Sequence, residues 1–143
     1  MKILVIHGPN LNLLGNREPE KYGNSSSDDI VDFLRIQFSE TNILYFQSNI
    51  EGEIINAIQQ AANNTDGILI NAGGFSHTSV AIADAITSVA MPVISVHITN
   101  IFQREEFRHS DIIGNACQGT IAGLGIEGYA LAMDCLLDKI RES

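Results

Sequence analysis

Three of the four histidines follow short apolar runs that are typical of buried β-strands. His7 ends the first run, His77 lies just beyond the third and His97 directly follows the fourth. Imidazole takes up and releases protons near neutral pH, which makes it the usual general acid or base of enzymes. Because the carboxyl ends of parallel strands meet at one edge of a sheet, we expect these three rings to converge there. The pattern predicts acid–base chemistry.

Positive charge is sparse in this chain and unevenly placed. The formal net charge is -9, with only eight lysines and arginines, so nucleic acid and anionic membrane surfaces are poor partners. Four of these cations fall in two polar segments: Arg17, Lys21, Arg104 and Arg108. The clustering favours a small anionic or polar ligand, although charges also gather in ordinary surface loops.

Several other chemistries do not fit the residues at the strand ends. His7, Asn71 and Ala122 stand where a response-regulator receiver needs carboxylates and a lysine. Neither a phosphate-binding Gly-x-x-x-x-Gly-Lys-Ser/Thr loop nor a Gly-x-Ser-x-Gly nucleophile elbow occurs in the chain. A metal site built from the histidines is an alternative, but few carboxylates are at hand to complete it. Acid–base chemistry on a polar small molecule remains.

The elements that must position these side chains alternate between strands and helices. Apolar runs predict five strands, at residues 2–7, 43–46, 68–71, 93–96 and 120–122. Amphipathic spacing predicts helices that begin near Ser26, span 51–64 and 79–89, and end the chain. This alternation predicts an α/β fold: a single doubly wound, flavodoxin-like domain over residues 1–143, whose five-stranded parallel sheet has the order 2-1-3-4-5.

The composition also bears on where the protein is located. No apolar run approaches the length that a membrane span requires, and the amino-terminal run becomes polar too early for a signal peptide. The two cysteines, Cys117 and Cys135, do not indicate a disulfide framework and suit a reducing compartment. We therefore expect a cytoplasmic protein without membrane partners.

Motifs in a fixed order run along nearly the whole chain. They are HGPNLNLLG at 7–15, REP at 17–19, YG at 22–23, QSN at 47–49, EG at 51–52, NAG at 71–73, HTSVA at 77–81, VH at 96–97, REEFRH at 104–109 and GLGIEGY at 123–129. Together these motifs closely resemble the type II 3-dehydroquinate dehydratase family, also called type II dehydroquinases.

The resemblance implies an activity and an assembly. Members of the family convert 3-dehydroquinate to 3-dehydroshikimate by anti elimination through an enolate, without a metal or a cofactor. The reaction belongs to the shikimate pathway of aromatic amino acid biosynthesis or to quinate catabolism. The resemblance also implies a homododecamer, a tetramer of trimers, in which Asp84 reaches the site of a neighbouring subunit.

The resemblance further implies catalytic roles for four residues. Tyr22 would remove the proton beside the ketone, and Arg17 would supply the positive charge that this phenol needs, since free tyrosine ionises only at about pH 10. Arg108 is a second candidate for that cation. Asn10 would hold the water that stabilises the enolate, and His97 would protonate the departing hydroxyl.

Further residues that match the family's motifs would bind the substrate. Ile98 and Thr99, through backbone N–H groups and the threonine hydroxyl, would hold the carboxylate together with Asn71. His77 and Arg108 would contact the ring hydroxyls. None of these roles follows from spacing alone; each is carried over from the motif in which the residue stands.

This chain departs from the family pattern at several positions. Ser95 replaces a glutamate two residues before His97, and a hydroxyl offers no charge to favour the protonated ring, so we expect this histidine to hold its proton less well and catalysis to be slower. Ala83 replaces an arginine near the expected trimer contact. Asp111 and Gly114 stand where serine is frequent, and we interpret both as neutral.

Two alternatives to an active dehydratase remain open. One is a weakly active or non-catalytic homologue that binds quinate-like ligands, which Ser95 and Ala83 favour. The retention of both a base, Tyr22, and an acid, His97, argues against it. The other alternative is an enzyme of the same fold that acts on a different polyol acid, with the same base and acid but other hydroxyl contacts.

Overall fold

Five parallel strands form the single sheet of the protein, in the order β2-β1-β3-β4-β5. The computed structural model describes all residues from Met1 to Ser143. The strands are β1 (Lys2–His7), β2 (Asn42–Gln47), β3 (Gly67–Asn71), β4 (Val93–His97) and β5 (Gly119–Ala122). The predicted order is confirmed, and each predicted strand agrees with the observed one to within a residue at either end.

Six α-helices accompany the strands. They are α1 (Pro19–Tyr22), α2 (Ser27–Gln37), α3 (Glu51–Ala61), α4 (Val80–Thr87), α5 (Ile112–Ala116) and α6 (Glu127–Glu142). Along β1, Ile3 and Val5 face one apolar cluster and Leu4 and Ile6 face another, because successive side chains of a strand point to opposite sides. Helices α2 and α6 cover the first cluster, and α3, α4 and α5 cover the second. None of the helices has the length and apolar character that a membrane crossing requires.

The start of α2 follows from its sequence. The Ser26 hydroxyl accepts a hydrogen bond from the Asp29 N–H at 3.1 Å, and the Asp29 carboxylate accepts one from the Ser26 N–H at 2.9 Å. This reciprocal capping box satisfies two donors at the helix start. It confirms the helix that was predicted to begin here and fixes the next residue, Ser27, at the first turn.

The two long polar segments are more ordered than the sequence predicts. Those segments, which follow β1 and β4, contain α1 and α5 together with three turns of 3-10 helix, at Leu11–Leu13, Ile101–Gln103 and Glu106–Arg108; a fourth such turn, Gly73–His77, follows β3. Elements of three to five residues are too short to show an amphipathic period, so hydrophobic spacing cannot reveal them. These short elements carry three polar side chains of the carboxyl edge of the sheet: Tyr22, His77 and Arg108.

Two glycines allow the loops after β1 and β3 to touch. A Cβ on Gly8 would lie 2.2 Å from the carbonyl oxygen of Ala72, and a Cβ on Gly73 would lie 2.9 Å from the carbonyl oxygen of Pro9. Gly73 also has a φ of 59°, which side chains disfavour. The Gly8 N–H donates to the Asn71 carbonyl at 2.8 Å. Backbone therefore packs directly on backbone where the ligand edge of the sheet begins.

A hydrogen-bonded chain of buried side chains passes through the end of β1. The Asn71 amide lies 3.0 Å from the Tyr129 hydroxyl, which lies 2.9 Å from Nε2 of His7. On the other side of the ring, Nδ1 lies 3.1 Å from the Ser27 hydroxyl, and that hydroxyl donates to the Leu11 carbonyl at 2.7 Å. The chain thus links β3, α6, β1, α2 and the turn after β1.

The direction of these hydrogen bonds fixes the protonation of His7. Because the Ser27 hydroxyl gives its hydrogen to a carbonyl, Nδ1 must donate to it, and Nε2 must accept from Tyr129. The Tyr45 hydroxyl also lies 3.1 Å from Nδ1. Burial lowers the pKa of His7 to about 3, since a charged ring would lose its hydration. His7 is therefore a neutral structural residue of the core.

Replacing Gly8 should be far more costly than replacing an open glycine. Gly8→Ala places a methyl group against the backbone of residue 72, which cannot move aside, and should lower the free energy of unfolding by about 2 kcal/mol or more. Gly52→Ala is the matched control, because a Cβ there meets nothing within 4 Å. Urea unfolding of both variants measures the difference, and an equal loss in the two would contradict the close approach.

The neutral His7 predicts a specific dependence of stability on pH. Between about pH 6.5 and 3 the unfolded chain binds a proton at this ring that the folded chain does not, so acid should weaken the fold. His7→Gln removes the ring that binds this proton in the unfolded chain. At neutral pH the variant is less stable than the parent, because it loses hydrogen bonds of the ring. The stability gap between parent and variant should therefore narrow as pH falls, by up to about 1.4 kcal/mol per pH unit. Urea unfolding across this range measures the gap, His109→Gln serves as the surface control, and a gap independent of pH would contradict the burial of a neutral ring.

Candidate active site

A pocket with a cavity volume of about 120 Å³ lies at the carboxyl ends of β1, β3 and β4, the edge at which parallel α/β sheets bind ligands. Only four of its 14 lining residues are hydrophobic, so the pocket suits a polar ligand. All the predicted site residues except Asp84 line it: Asn10, Arg17, Tyr22, Asn71, His77, His97, Ile98, Thr99 and Arg108. Arg104, for which the sequence predicted no role, lines it as well.

Tyr22 is the last residue of α1, and its side chain is largely buried. Nη1 of Arg104 lies 2.8 Å from its hydroxyl oxygen. Since guanidinium has no acceptor and stays charged, the phenol oxygen must be the acceptor in this hydrogen bond. The phenol oxygen thus has a cationic hydrogen-bond donor, which forms a stronger bond than a neutral donor does. Tyr22 therefore has the environment of a base.

Two guanidinium groups flank the Tyr22 ring in different ways. Arg17 lies over the ring face, with its guanidinium carbon 4.8 Å from the centroid, whereas Arg104 contacts the hydroxyl. The sequence assigned the cation to Arg17 and considered Arg108, yet Arg104 makes the direct contact. Its position in the polar segment after β4 placed Arg104 among the cations that favoured a small anionic or polar ligand. No spacing rule could pair it with a phenol 82 residues away.

His97 ends β4, and its ring is buried against a carboxylate. Nε2 lies 2.8 Å from Oδ2 of Asp111, the residue that precedes α5. For a charged neighbour of this ring, the sequence pointed only to the strand position of Ser95, whereas the structure supplies a carboxylate from a loop; the expected loss of rate stays a prediction. The interpretation of Asp111 as a neutral change is wrong for the same reason.

Asp111 is held in its ionised form by several contacts. Burial raises the pKa of Asp111, but the hydrogen bonds from His97 and from the Gly114 N–H, with the charge of the ring, leave that pKa below its usual value. Its Oδ1 accepts from the Gly114 N–H at 2.8 Å and caps α5. Asp111 therefore gives the imidazole a charged hydrogen-bond acceptor that orients it.

His77 lies parallel to His97, with ring centroids 6.1 Å apart and an angle of 19° between the planes. Its Nδ1 donates to the Ser110 carbonyl at 2.9 Å, which leaves Nε2 as an acceptor. Partial burial lowers the pKa of His77, and the neighbouring charges of His97 and Arg108 lower it further, against the opposing effects of the Ser110 carbonyl and Asp111. A neutral ring of this kind can accept a hydrogen bond from a ligand hydroxyl.

The expected convergence of three histidines is wrong for His7. That ring lies inside the core, hydrogen-bonded on both nitrogens, and only His77 and His97 reach the pocket. The reason is geometric: the last side chain of a strand can point toward a helix layer as well as toward the edge. Correspondingly, no group of three or more histidine, cysteine, aspartate or glutamate side chains is placed to hold a metal ion.

The remaining predicted residues take distinct places at the pocket. Asn10 has a left-handed backbone (φ 69°), which asparagine tolerates, and its N–H donates to the Asn49 side chain at 3.0 Å. The Asn71 side chain is fixed on both sides, since its oxygen accepts from the Gly73 N–H at 3.1 Å. Nε of Arg108 lies 2.6 Å from the Glu105 carboxylate. These groups form a polar rim around the base and the acid.

Asp84 lies apart from this pocket. It stands on the exposed side of α4 and does not line the cavity of its own chain. The role in a neighbouring subunit's site that the sequence implied for it thus stays a prediction. Ala83, which precedes it, is almost completely buried in the single chain.

Relatives of known name share this architecture. The family described as dehydroquinase class II matches residues 1–137. The chain is 49% identical over 144 residues to the 3-dehydroquinate dehydratase of Clostridium perfringens, covering 99% of this chain and 100% of that one. It is 50% identical over 135 residues to the Campylobacter jejuni protein of the same name, covering 93% of this chain and 85% of that one.

A solved structure has the same fold over almost its full length. The crystal structure of the type II dehydroquinase from Butyrivibrio crossotus matches with a TM-score of 0.93 and 47% sequence identity, covering 96% of this chain and 97% of that chain. The motifs, the strand order and these likenesses all agree. The chain belongs to the class II dehydroquinase family.

Proposed function

We propose that this protein is a 3-dehydroquinate dehydratase, which removes water from 3-dehydroquinate to form 3-dehydroshikimate. The observation that carries the proposal is a base and an acid facing one polar pocket, each beside an opposite charge: Tyr22 with Arg104, and His97 with Asp111. The reaction requires this combination, because one proton must leave a carbon and another must reach the departing hydroxyl. Membership of the dehydroquinase family supports the same activity.

The first step is removal of the proton from the carbon beside the ketone. The phenolate of Tyr22 accepts this proton, and the electron pair of the C–H bond moves toward the carbonyl to form an enolate. Arg104 and Arg17 stabilise the phenolate before the transfer. Asn10 would hold a water that donates to the enolate oxygen, as in an oxyanion hole.

The second step expels the hydroxyl. The enolate collapses to a carbon–carbon double bond, the C–O bond breaks, and His97 gives its proton to the leaving oxygen, so that water departs. The ring then holds one proton fewer and Tyr22 one more, and transfer through solvent restores both. Asp111, 2.8 Å from Nε2, orients the ring for this transfer.

Substrate orientation falls to the polar rim of the pocket. We assign the substrate carboxylate to Ile98, Thr99 and Asn71, which lie at the ends of adjacent strands. His77 and Arg108 would contact ring hydroxyls. With the carboxylate fixed at one end and the hydroxyls at the other, the proton and the leaving group are directed to Tyr22 and His97 on opposite faces, as an anti elimination requires.

The assembly and the location of the enzyme belong to this proposal as well. We assign residues 1–143 to one catalytic domain and expect trimers that form a homododecamer, with Asp84 contributing to a neighbouring site. The exposed position of Asp84, away from its own pocket, supports this arrangement. The two cysteines are free thiols, which supports a reducing compartment such as the cytoplasm. A role confined to ligand binding is not favoured, because the acid retains its carboxylate partner.

The first prediction concerns the base. Tyr22→Phe should reduce kcat by about a thousandfold or more, because the phenyl ring cannot accept a proton. Arg104→Gln should reduce kcat about a hundredfold at neutral pH and move the acid limb of the kcat/KM profile to higher pH, since the phenolate loses its cation. The ultraviolet absorbance of the conjugated enone in 3-dehydroshikimate measures the rate.

Arg141→Gln is the matched control for the arginine substitution. Arg141 pairs only with Asp138 on the exposed surface of α6, so its loss should leave both the rate and the pH profile unchanged. Turnover by Tyr22→Phe at the parental rate would disprove the proposed chemistry.

The second prediction concerns Asp84 and can be tested by mixing subunits. Asp84→Asn should raise KM without lowering the free energy of unfolding. If each site takes Tyr22 from one chain and Asp84 from its neighbour, co-refolding Asp84→Asn with Tyr22→Phe should regenerate some complete sites with the parental KM. The mixture should then exceed the summed activity of the separate variants. In the control mixture, Asp138→Asn takes the place of Asp84→Asn. If the activity of the Asp84→Asn and Tyr22→Phe mixture is only the sum of the activities of the two separate variants, a shared site is contradicted.

A further inference from the structure

Asp111 reaches His97 from the loop that precedes α5. Its Oδ2 lies 2.8 Å from Nε2 of the ring, and the two side chains are only 15% and 5% exposed. A pair this well shielded from water interacts more strongly than a surface ion pair. The contact occupies Nε2, so Nδ1 is the ring nitrogen left for a substrate.

The Asp111 carboxylate depends on the absence of a side chain at residue 114. A Cβ on Gly114 would lie 2.3 Å from Oδ2 of Asp111 and 2.9 Å from the Thr120 hydroxyl. The Gly114 N–H meanwhile donates to Oδ1 at 2.8 Å. Gly114 therefore both makes room for the carboxylate and binds it, so the two residues form one structural unit.

Three departures from the family pattern meet at this ring. Ser95, two residues before His97 on β4, stands where the family carries glutamate, and Asp111 and Gly114 stand where serine is frequent. A serine at 114 would occupy the space of the carboxylate. Taken singly, each difference looks neutral or damaging, but together they exchange one carboxylate for another.

We propose that Asp111 is the positioning residue for the general acid: it holds the His97 ring with Nδ1 toward the leaving hydroxyl and favours its protonated form, in place of the carboxylate that Ser95 lacks. The assignment rests on the proposed dehydratase function for its catalytic consequence. The hydrogen bond between Asp111 and His97 is independent of that function.

Other charged groups also act on this ring and must be held constant in any test. His77 stacks on it, Arg108 lines the same pocket, and the Cys117 thiol lies close enough for the Asp111 charge to raise its pKa, after burial has done so. Asp111 is the carboxylate in hydrogen-bond contact with His97. Removing its charge is therefore the most selective change available.

Asp111→Asn separates the positioning role from a purely structural one. Asparagine keeps the size of the side chain and can still cap α5 through its oxygen, so the thermal midpoint should stay near that of the parent. The kcat should fall about 10- to 100-fold with KM within about threefold. The alkaline limb of the kcat profile should move to lower pH, because the protonated ring has lost its anion. Asp138→Asn is the matched control and should change none of these quantities.

Moving the carboxylate back to the strand tests the exchange directly. Ser95→Glu combined with Asp111→Ser should recover at least tenfold of the kcat that Asp111→Ser alone loses, and should return the alkaline limb toward that of the parent. A folded double variant without recovery would overturn the exchange. If the double variant does not fold, Asp111→Asn still decides, since a parental kcat and pH profile in that variant would overturn the proposal.

A spectroscopic readout does not depend on turnover. In ¹⁵N-histidine-labelled protein, the Nε2–H of His97 should give a proton signal far downfield, as hydrogen bonding to a carboxylate produces, and Asp111→Asn should abolish that shift. His97→Gln assigns the signal. An inactive parent that still shows the signal would refute the dehydratase function but not the held ring, whereas an active parent without the signal would refute the positioning role alone.

Discussion

A neutral imidazole in the core, His7, determines how the elements around the pocket are joined. Its Nε2 accepts from Tyr129 on α6, and its Nδ1 donates to Ser27 at the start of α2. The same chain of hydrogen bonds reaches Asn71 at one end and the Leu11 carbonyl at the other. Each group can play only one part, because the donors and acceptors alternate along the chain. The turn that carries Asn10 and the strand end that carries Asn71 are thereby fixed relative to each other.

The two buried histidines show how environment divides one residue type between structure and catalysis. His7 has hydroxyl partners and no counter-charge, so burial leaves its ring uncharged. His97 is also largely buried, but it lines the pocket and has a carboxylate on Nε2. Tyr22 has a charged partner of the opposite sign, the guanidinium of Arg104. In a chain with a net charge of -9, three of the eight lysines and arginines line this one pocket: Arg17, Arg104 and Arg108.

Most of the fold could be predicted because it depends on patterns that a single sequence displays. Buried parallel strands are continuous apolar runs and α2 begins with a capping box, so both were found at nearly the observed residues. The residues that the motifs singled out, except Asp84, also line one pocket, while their roles stay predictions. What failed depended on side-chain direction and on contacts between distant segments. The turn of His7 into the core, the contact of Arg104 with Tyr22 and that of Asp111 with His97 leave no local signature.

The contact of Asp111 with His97 explains why the residue at one sequence position does not show whether the general acid has a carboxylate partner. A glutamate at position 95, two residues before His97 on β4, and an aspartate before α5 can each place a carboxylate against the same ring. The aspartate has fewer rotatable bonds and so loses less entropy when fixed, and the Gly114 N–H holds its second oxygen. The cost of burying the anion is thus offset by two hydrogen bonds. That arrangement leaves no room for a side chain at residue 114. The effect of Asp111 on the general acid therefore depends on Gly114, and the effect of Ser95 depends on both.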